Sequence, residues 1–291
     1  MKSIRFPSPV HPTPPFIPDQ LIDILRKTGA WACRNAIMEG AGLAAFCPLL
    51  ARFGWLQPGE DNLGSLMADA CKQMATSRSF AFTGSAVPFC LSDKPKGGHY
   101  FLHLPKAVDE FTPVLLLFHG WGGNLLFFPW AIWKEHPECI IIAPSWQVDW
   151  TDGGFEDRRR YVHTALTHVE QTVVFRLGKP WLIPLSQGGG MAFQLAAAEP
   201  KRYKGLIGIS TAAASLADAK RLDSKFPVRL LQGSKDARIE EGYVTDTILA
   251  IQKHGGDAHH TVIQPANHWL ILSHRERVGT FLSESIEELC S

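Results

Sequence analysis

Ser186 stands in the run Trp181-Leu182-Ile183-Pro184-Leu185-Ser186-Gln187-Gly188-Gly189-Gly190-Met191-Ala192, where an apolar, strand-like stretch meets a Gly- and Ala-rich stretch of helical character. A serine at such a junction has its hydroxyl lifted above the edge of a sheet, and the first amides of the helix point at whatever it attacks. The glycines keep side chains clear of the turn. A serine hydroxyl attacks poorly unless a base takes its proton, so partners are expected elsewhere in the chain. The run from Phe226 to Gln232 is a second apolar stretch, with Asp236 just past its end. Thr261-Val262-Ile263-Gln264-Pro265 leads into Ala266-Asn267-His268-Trp269 and places a histidine just past the last apolar stretch. Together the three residues suggest acyl transfer. Ser186 would attack a carbonyl, His268 would act as general base and then acid, and Asp236 would hold the imidazole in its working tautomer.

Negative charge developing on the substrate needs donors. Pro113 to Phe118 is a continuous apolar run that ends in His119-Gly120-Trp121-Gly122-Gly123-Asn124. The expected oxyanion hole uses the backbone N–H of Trp121, in that turn, and of Gln187, directly after the serine. His119 is assigned a structural hydrogen bond rather than proton transfer. Asp246 and Asp257 are rivals for the acid, but neither immediately follows a strand; His259 and His260 read as residues that open one. Trp121, Trp146, Trp150 and Trp269 fall at loop positions and are expected to wall an apolar acyl or aryl pocket, whereas Phe127, Phe128 and Trp133 are expected to pack a helix into the core.

From about Tyr100 to the C-terminus, roughly two thirds of its length, the chain resembles the α/β-hydrolase superfamily. The order Ser, Asp, His is that superfamily's order and differs from the chymotrypsin and subtilisin orders. Leu185-Ser186-Gln187-Gly188-Gly189 is similar to the Ser-Gln-Gly-Gly elbow of the carboxylesterase/thioesterase group. The polyhydroxybutyrate-depolymerase and feruloyl-esterase-like branches also look near. Pro184 occupies the place of the family's first elbow glycine; its fixed φ suits an extended residue at a strand end. The resemblance implies a carboxylic-ester hydrolase that works through an acyl-enzyme on a small-molecule or polymeric ester, uncharged and fairly apolar. Thioesterase, polyester depolymerase and peptidase chemistry on the same triad remain alternatives, as does a non-catalytic binding protein with this fold. No metal and no organic cofactor is implied.

Lys plus Arg number 29 against 28 Asp plus Glu, a formal net charge of +1, so no field exists to recruit nucleic acid or an anionic membrane. No apolar stretch is long enough for stable membrane insertion: the longest, Gly40 to Ala51, is interrupted by Pro48. No signal segment is visible, and a cytoplasmic location is expected unless a leader has been removed. The six cysteines show no C-x-x-C pairing, which argues against zinc and favours buried, reduced thiols over one or two disulfides in the first third.

Catalysis by residues so far apart requires a scaffold. Strands are expected at Ser79–Thr83, His99–Leu104, Pro113–Phe118, Cys139–Ala143, Trp181–Leu185, Gly205–Ile209, Val228–Gln232 and Thr261–Gln264. Helices are expected over Phe155 to Leu177, Gln187 to Ala198 and Glu241 to His254. This alternation predicts an α/β fold: a mostly parallel eight-stranded sheet flanked by helices, with antiparallel strands on the N-terminal side. Residues 1–76 are read as a proline-rich arm and a helical extension, and 77–291 as the catalytic domain. Stripes at Leu21, Ile22, Ile24, Leu25 and at Leu63, Leu66, Met67, Ala70 mark helices in the extension, which is expected to buttress the sheet rather than to cap the site.

Overall fold

In the computed structural model, residues 1–6, 33–52, 54–57, 59–92, 98–146, 154–173 and 175–290 are described, the side chains of 3–6 and 290 excepted. The stripe at Leu21–Leu25 and most of the proline-rich arm lie outside these residues.

Eight strands form one sheet: β1 (Lys2–Phe6), β2 (Gly98–His103), β3 (Val114–Phe118), β4 (Ile140–Ser145), β5 (Trp181–Pro184), β6 (Gly205–Ile209), β7 (Val228–Gly233) and β8 (Ala258–Ile263). Their order is β1-β2-β4-β3-β5-β6-β7-β8. β1 pairs antiparallel with β2, and β2 antiparallel with β4, while every pairing from β4 through β3 to β8 is parallel. From β3 the chain crosses to β4 on one side, then returns to β5 on the other. The loops leaving β3 and β5 therefore diverge and open a crevice at the carboxyl ends of the two central strands, where ligands bind in sheets of this kind.

The first strand departs from the expected set. Residues Ser79–Thr83 do not join the sheet: Arg78–Ala81 form a single helical turn, with Phe80 fully buried and Phe82 88% exposed. In a strand Phe80 and Phe82 would share one face, whereas residues two apart in a helix lie nearly opposite, so the alternation over Ser79–Thr83 that reads as a strand becomes a turn with one ring buried and the other exposed. The eighth strand is instead Lys2–Phe6, in register with Leu102–Gly98, although the prolines that begin at Pro7 suggest an arm.

The strand interiors are apolar on both faces, as sequences covered by helices on both sides must be. Leu115, Leu117, Ile141, Ile183 and Ile207 face one core; Leu116, Phe118, Ile142, Leu182 and Leu206 face the other. The first core is covered by α1 (Ala36–Arg52), α2 (Leu63–Thr76), α5 (Phe127–Glu135) and α11 (Arg275–Cys290). Between α2 and β2 lie the short α3 (Arg78–Ala81) and α4 (Val87–Cys90). The opposite core is covered by α6 (Gly154–Val173), α7 (Gly188–Ala198), α8 (Leu216–Lys220) and α9 (Glu241–Gln252). The four-residue α10 (Leu270–Ser273) precedes α11. Leu63, Met67 and Ala70 of the expected stripe are buried, as are Phe127 and Phe128, while Trp133 is half-buried.

Cys33, Cys47, Cys71, Cys90 and Cys139 are buried and unpaired. Burial pushes the Cys33, Cys90 and Cys139 thiols up to about 12, so they stay protonated. Among the described residues, no helix is long and apolar enough to cross a membrane.

Candidate active site

Ser186 sits between β5 and α7 in the left-handed region, with φ at +53°, a conformation that costs an ordinary residue on the order of 1 kcal/mol or more. The surrounding hydrogen bonds hold it there. Leu185 N–H donates to Phe118 O at 2.9 Å, Ser186 N–H to Ile209 O at 3.1 Å, and the Thr211 hydroxyl to Ser186 O. Gly188 is required by close approach: a Cβ there would lie 2.3 Å from Phe118 O and 3.0 Å from His119 O. Pro184 ends β5 in register with Phe118 and so occupies an extended position, as its φ requires.

His268 and Asp236 reach the serine from the loops after β8 and β7. His268 Nδ1–H donates to Asp236 Oδ2 at 2.8 Å, which leaves Nε2 to accept from the Ser186 hydroxyl at 2.9 Å. The Asp236 side chain is fully buried and that of His268 is 4% exposed. The other carboxylate oxygen, Oδ1, accepts from the amides of Arg238 and Ile239, each at 2.9 Å. These bonds orient the carboxylate so that Oδ2 faces the imidazole. The backbone of His268 is pinned by the Ser210 hydroxyl, which donates to His268 O at 2.9 Å. The structure thus brings together Ser186, His268 and Asp236. It keeps both rival acids away: Asp257 pairs with Arg229 at 2.9 Å, and Asp246 is exposed on α9.

The glycine turn after β3 lies against the serine, since a Cβ on Gly120 would meet Ser186 Cβ at 3.0 Å and Oγ at 3.5 Å. Gly122 and Gly123 have φ of +91° and +97°, which glycine adopts without penalty. The N–H groups of Trp121 and Gln187 find no acceptor among the described residues. His119 holds the turn in place. Its Nδ1–H donates to Gly120 O at 2.8 Å and its Nε2 accepts from Trp146 N–H at 3.1 Å. Burial lowers its pKa to about 4, against a smaller opposing pull from the Gly120 carbonyl, so the ring is neutral as both bonds require. Asn124 secures the far end by donating to Ala143 O at 2.8 Å and Ser145 Oγ at 3.0 Å.

A cavity of about 400 Å³ opens beside Ser186 and His268, lined by Leu43, Phe46, Leu63 and Met67 from α1 and α2, and by Phe127 and Phe128 from α5. Trp121 and Trp269 reach its wall as expected from their loop positions. Trp146 does not: its ring stacks on His119 at 3.9 Å and faces Phe118 at 6.0 Å, and its backbone N–H donates to the same histidine. Trp150 lies outside the described residues. The helical extension, expected to act as a buttress, both packs on the core and forms one wall of this cavity.

Two carboxylates at the site carry no sequence signal. Glu60, in the turn between α1 and α2, binds Arg238 and Trp269. Glu39 of α1 is fully buried and accepts from Leu126 N–H at 2.7 Å, just before α5. Neither follows a strand or belongs to a motif, and a carboxylate in a helical or turn segment reads as solvent-facing until its partners are known.

No family model matches the chain, and no curated protein matches it in sequence. Solved structures do match. A predicted CIB-like hydrolase from Thermoplasma acidophilum aligns with a TM-score of 0.53 at 14% identity, over 66% of this chain and 93% of its own. A lipase-esterase related protein from Clostridium acetobutylicum aligns at 0.51 and 13% identity, over 64% and 98%. Est1E from Butyrivibrio proteoclasticus aligns at 0.50 and 16%, over 66% and 95%. At such identities the likeness concerns the fold. The sheet order, the serine turn between β5 and α7 and these superpositions agree: the chain has the α/β-hydrolase fold.

Proposed function

We propose that this protein is a serine carboxylic-ester hydrolase that works through an acyl-enzyme on an uncharged, fairly apolar ester. The observation that carries the proposal is the unbroken relay from Asp236 Oδ2 through His268 to Ser186 Oγ, with contacts of 2.8 and 2.9 Å, at the wall of an apolar cavity. In this reading His268 Nε2 takes the hydroxyl proton as Oγ bonds to the acyl carbon. The carbonyl oxygen becomes an oxyanion that the Trp121 and Gln187 amides receive, each donor contributing about 3 kcal/mol of transition-state stabilisation. His268 then gives its proton to the departing alcohol as the C–O bond breaks. Water, deprotonated by the same nitrogen, releases the acid and regenerates Ser186. Asp236 stabilises the imidazolium that forms twice in the cycle.

The cavity lining supports the substrate class. Its basic side chains are His119, which burial keeps neutral, His268 of the relay and Arg238, which is already engaged by Glu60. An anionic acyl group would find no free cation among the described lining residues, whereas an aliphatic or aryl group meets leucine, phenylalanine and methionine. The elements before residue 77 complete this wall and the rest of the chain holds the triad, which is the domain division we favour. Five buried reduced thiols support a cytoplasmic setting.

The test is hydrolysis of p-nitrophenyl esters together with fluorophosphonate labelling. Ser186→Ala should lose labelling and at least about a thousandfold in kcat/KM. Undiminished turnover in that variant would refute the assignment. Matched thioester and amide substrates decide among the related chemistries.

A further inference from the structure

The turn between α1 and α2 belongs to the helical extension, yet it touches three of the loops that bear the site. Trp55 packs on Trp121 of the glycine turn, with ring centroids 5.0 Å apart. Gly59 O accepts from Asn267 Nδ2 at 2.7 Å, one residue before His268. Glu60, whose side chain is 2% exposed, accepts from Gln57 N–H at 2.9 Å within its own turn. It also accepts from Arg238 Nε at 2.6 Å and Nη2 at 2.5 Å, and from Trp269 Nε1 at 3.0 Å. Arg238 Nη2 donates further to Trp55 O at 2.9 Å, and its guanidinium lies 5.7 Å over the Trp269 ring.

We propose that Glu60 is a positioning residue that clamps the acid-bearing and base-bearing loops together, so that the helical extension sets the working geometry of the triad. Resting on the triad reading above, the inference follows from what each partner does next. The backbone N–H of Arg238, whose side chain Glu60 grips, holds Asp236 Oδ1. Trp269 directly follows His268, and the two rings meet edge to face at 5.5 Å and 89°. One buried carboxylate therefore fixes both ends of the Asp236–His268 bond from outside. A bidentate guanidinium grip and an indole donor are directional, so the clamp restrains rotation as well as distance. Burial works against the charge of Glu60, but the hydrogen bonds from Arg238, Gln57 and Trp269 and the Arg238 charge together outweigh it and hold the carboxyl below its ordinary range. Glu60 itself does not line the cavity, so its effect is on reaction rate more than on substrate affinity.

Glu60→Gln keeps the shape but puts an amide donor where a carboxylate oxygen accepts. Full-length wild type, Glu60→Gln, Trp269→Phe and Ser186→Ala are compared by fluorophosphonate labelling rate and by ester kcat and KM. All rates are expressed per titrated site and measured below each variant's melting transition. We expect Glu60→Gln to label at least about tenfold more slowly and to lose kcat by a similar factor with KM within about twofold, the rate behaviour of misaligned groups. Trp269→Phe removes the indole N–H that Glu60 accepts, along with part of the ring that walls the cavity, so it is read on labelling rate and kcat rather than on KM. It should show a smaller loss in the same direction, and it carries the test if the glutamine variant does not fold. Unchanged rates per site in both variants, with Ser186 still labelled in wild type, would overturn the clamp and leave the triad standing. Equal labelling of wild type and Ser186→Ala would overturn the triad and the clamp with it.

Discussion

Glu39 provides a sharp test of the packing of the helical extension. Its carboxylate is 0% exposed, on α1, facing the Ser85 hydroxyl at 2.5 Å and the Leu126 amide at 2.7 Å. Burial raises its pKa from 4.5 to about 7, and the hydrogen bonds from Ser85 and Leu126 offset only part of that rise. Below its ordinary pKa the group is protonated in both folded and unfolded chains and contributes no pH dependence. As pH climbs from there to about 7, the unfolded chain ionises freely while the folded chain resists, so stability is lost over that window. A gap of about 2.5 units at 1.36 kcal/mol each makes the full loss about 3 kcal/mol. Glu39→Gln mimics the protonated form and keeps an acceptor for Leu126. Denaturant unfolding of both proteins at about pH 5 and about pH 8 isolates the effect, because all other titrating groups cancel in the difference. The variant should gain about 2.5 kcal/mol on wild type between the two conditions, the first part of the loss having already occurred by pH 5. A difference that stays constant with pH, or one that moves in favour of wild type, would refute the reasoning that an only partly compensated carboxylate lies beside the start of α5.

Gly188→Ala should cost at least about a hundredfold in fluorophosphonate labelling, because the new methyl meets the backbone carbonyls of Phe118 and His119 and the serine turn must shift. Gly190→Ala, whose Cβ meets only the Ala214 methyl at 3.3 Å, should label nearly normally and serves as its control. Met67→Ala should destabilise by about 2–5 kcal/mol as a buried truncation. Since Met67 lines the cavity, the same variant should also move the ester chain-length optimum toward longer acyl groups, read from a p-nitrophenyl ester series.

Much of the fold and the core of the candidate site were legible in the chain itself, for a physical reason. Central parallel strands must be apolar on both faces, so β3 to β6 stand out as hydrophobic runs, with β7 and β8 as apolar stretches broken by Arg229 and by His259 and His260, and ligand-facing loops start where those runs stop. Ser186, Asp236 and His268 could each be named because each follows such a run, and the glycines around Ser186 and Trp121 mark backbone that must approach closely. Edge elements lack that redundancy. Lys2–Phe6 is a strand because β2 offers it a free edge, and Arg78–Ala81 is a helical turn although the alternation around it is that of a strand.

What the tertiary structure alone decided are the contacts between segments without local pattern. No spacing rule links Glu60 to Arg238 and Trp269, 178 and 209 residues away, or Glu39 to Leu126, 87 residues on. Nor does any rule place Trp146 on His119 and not in the cavity. Hydrophobic periodicity reports which face of an element is buried, but it is silent about which other element covers that face. A buried carboxylate can be recognised only when the donors that compensate it are in place.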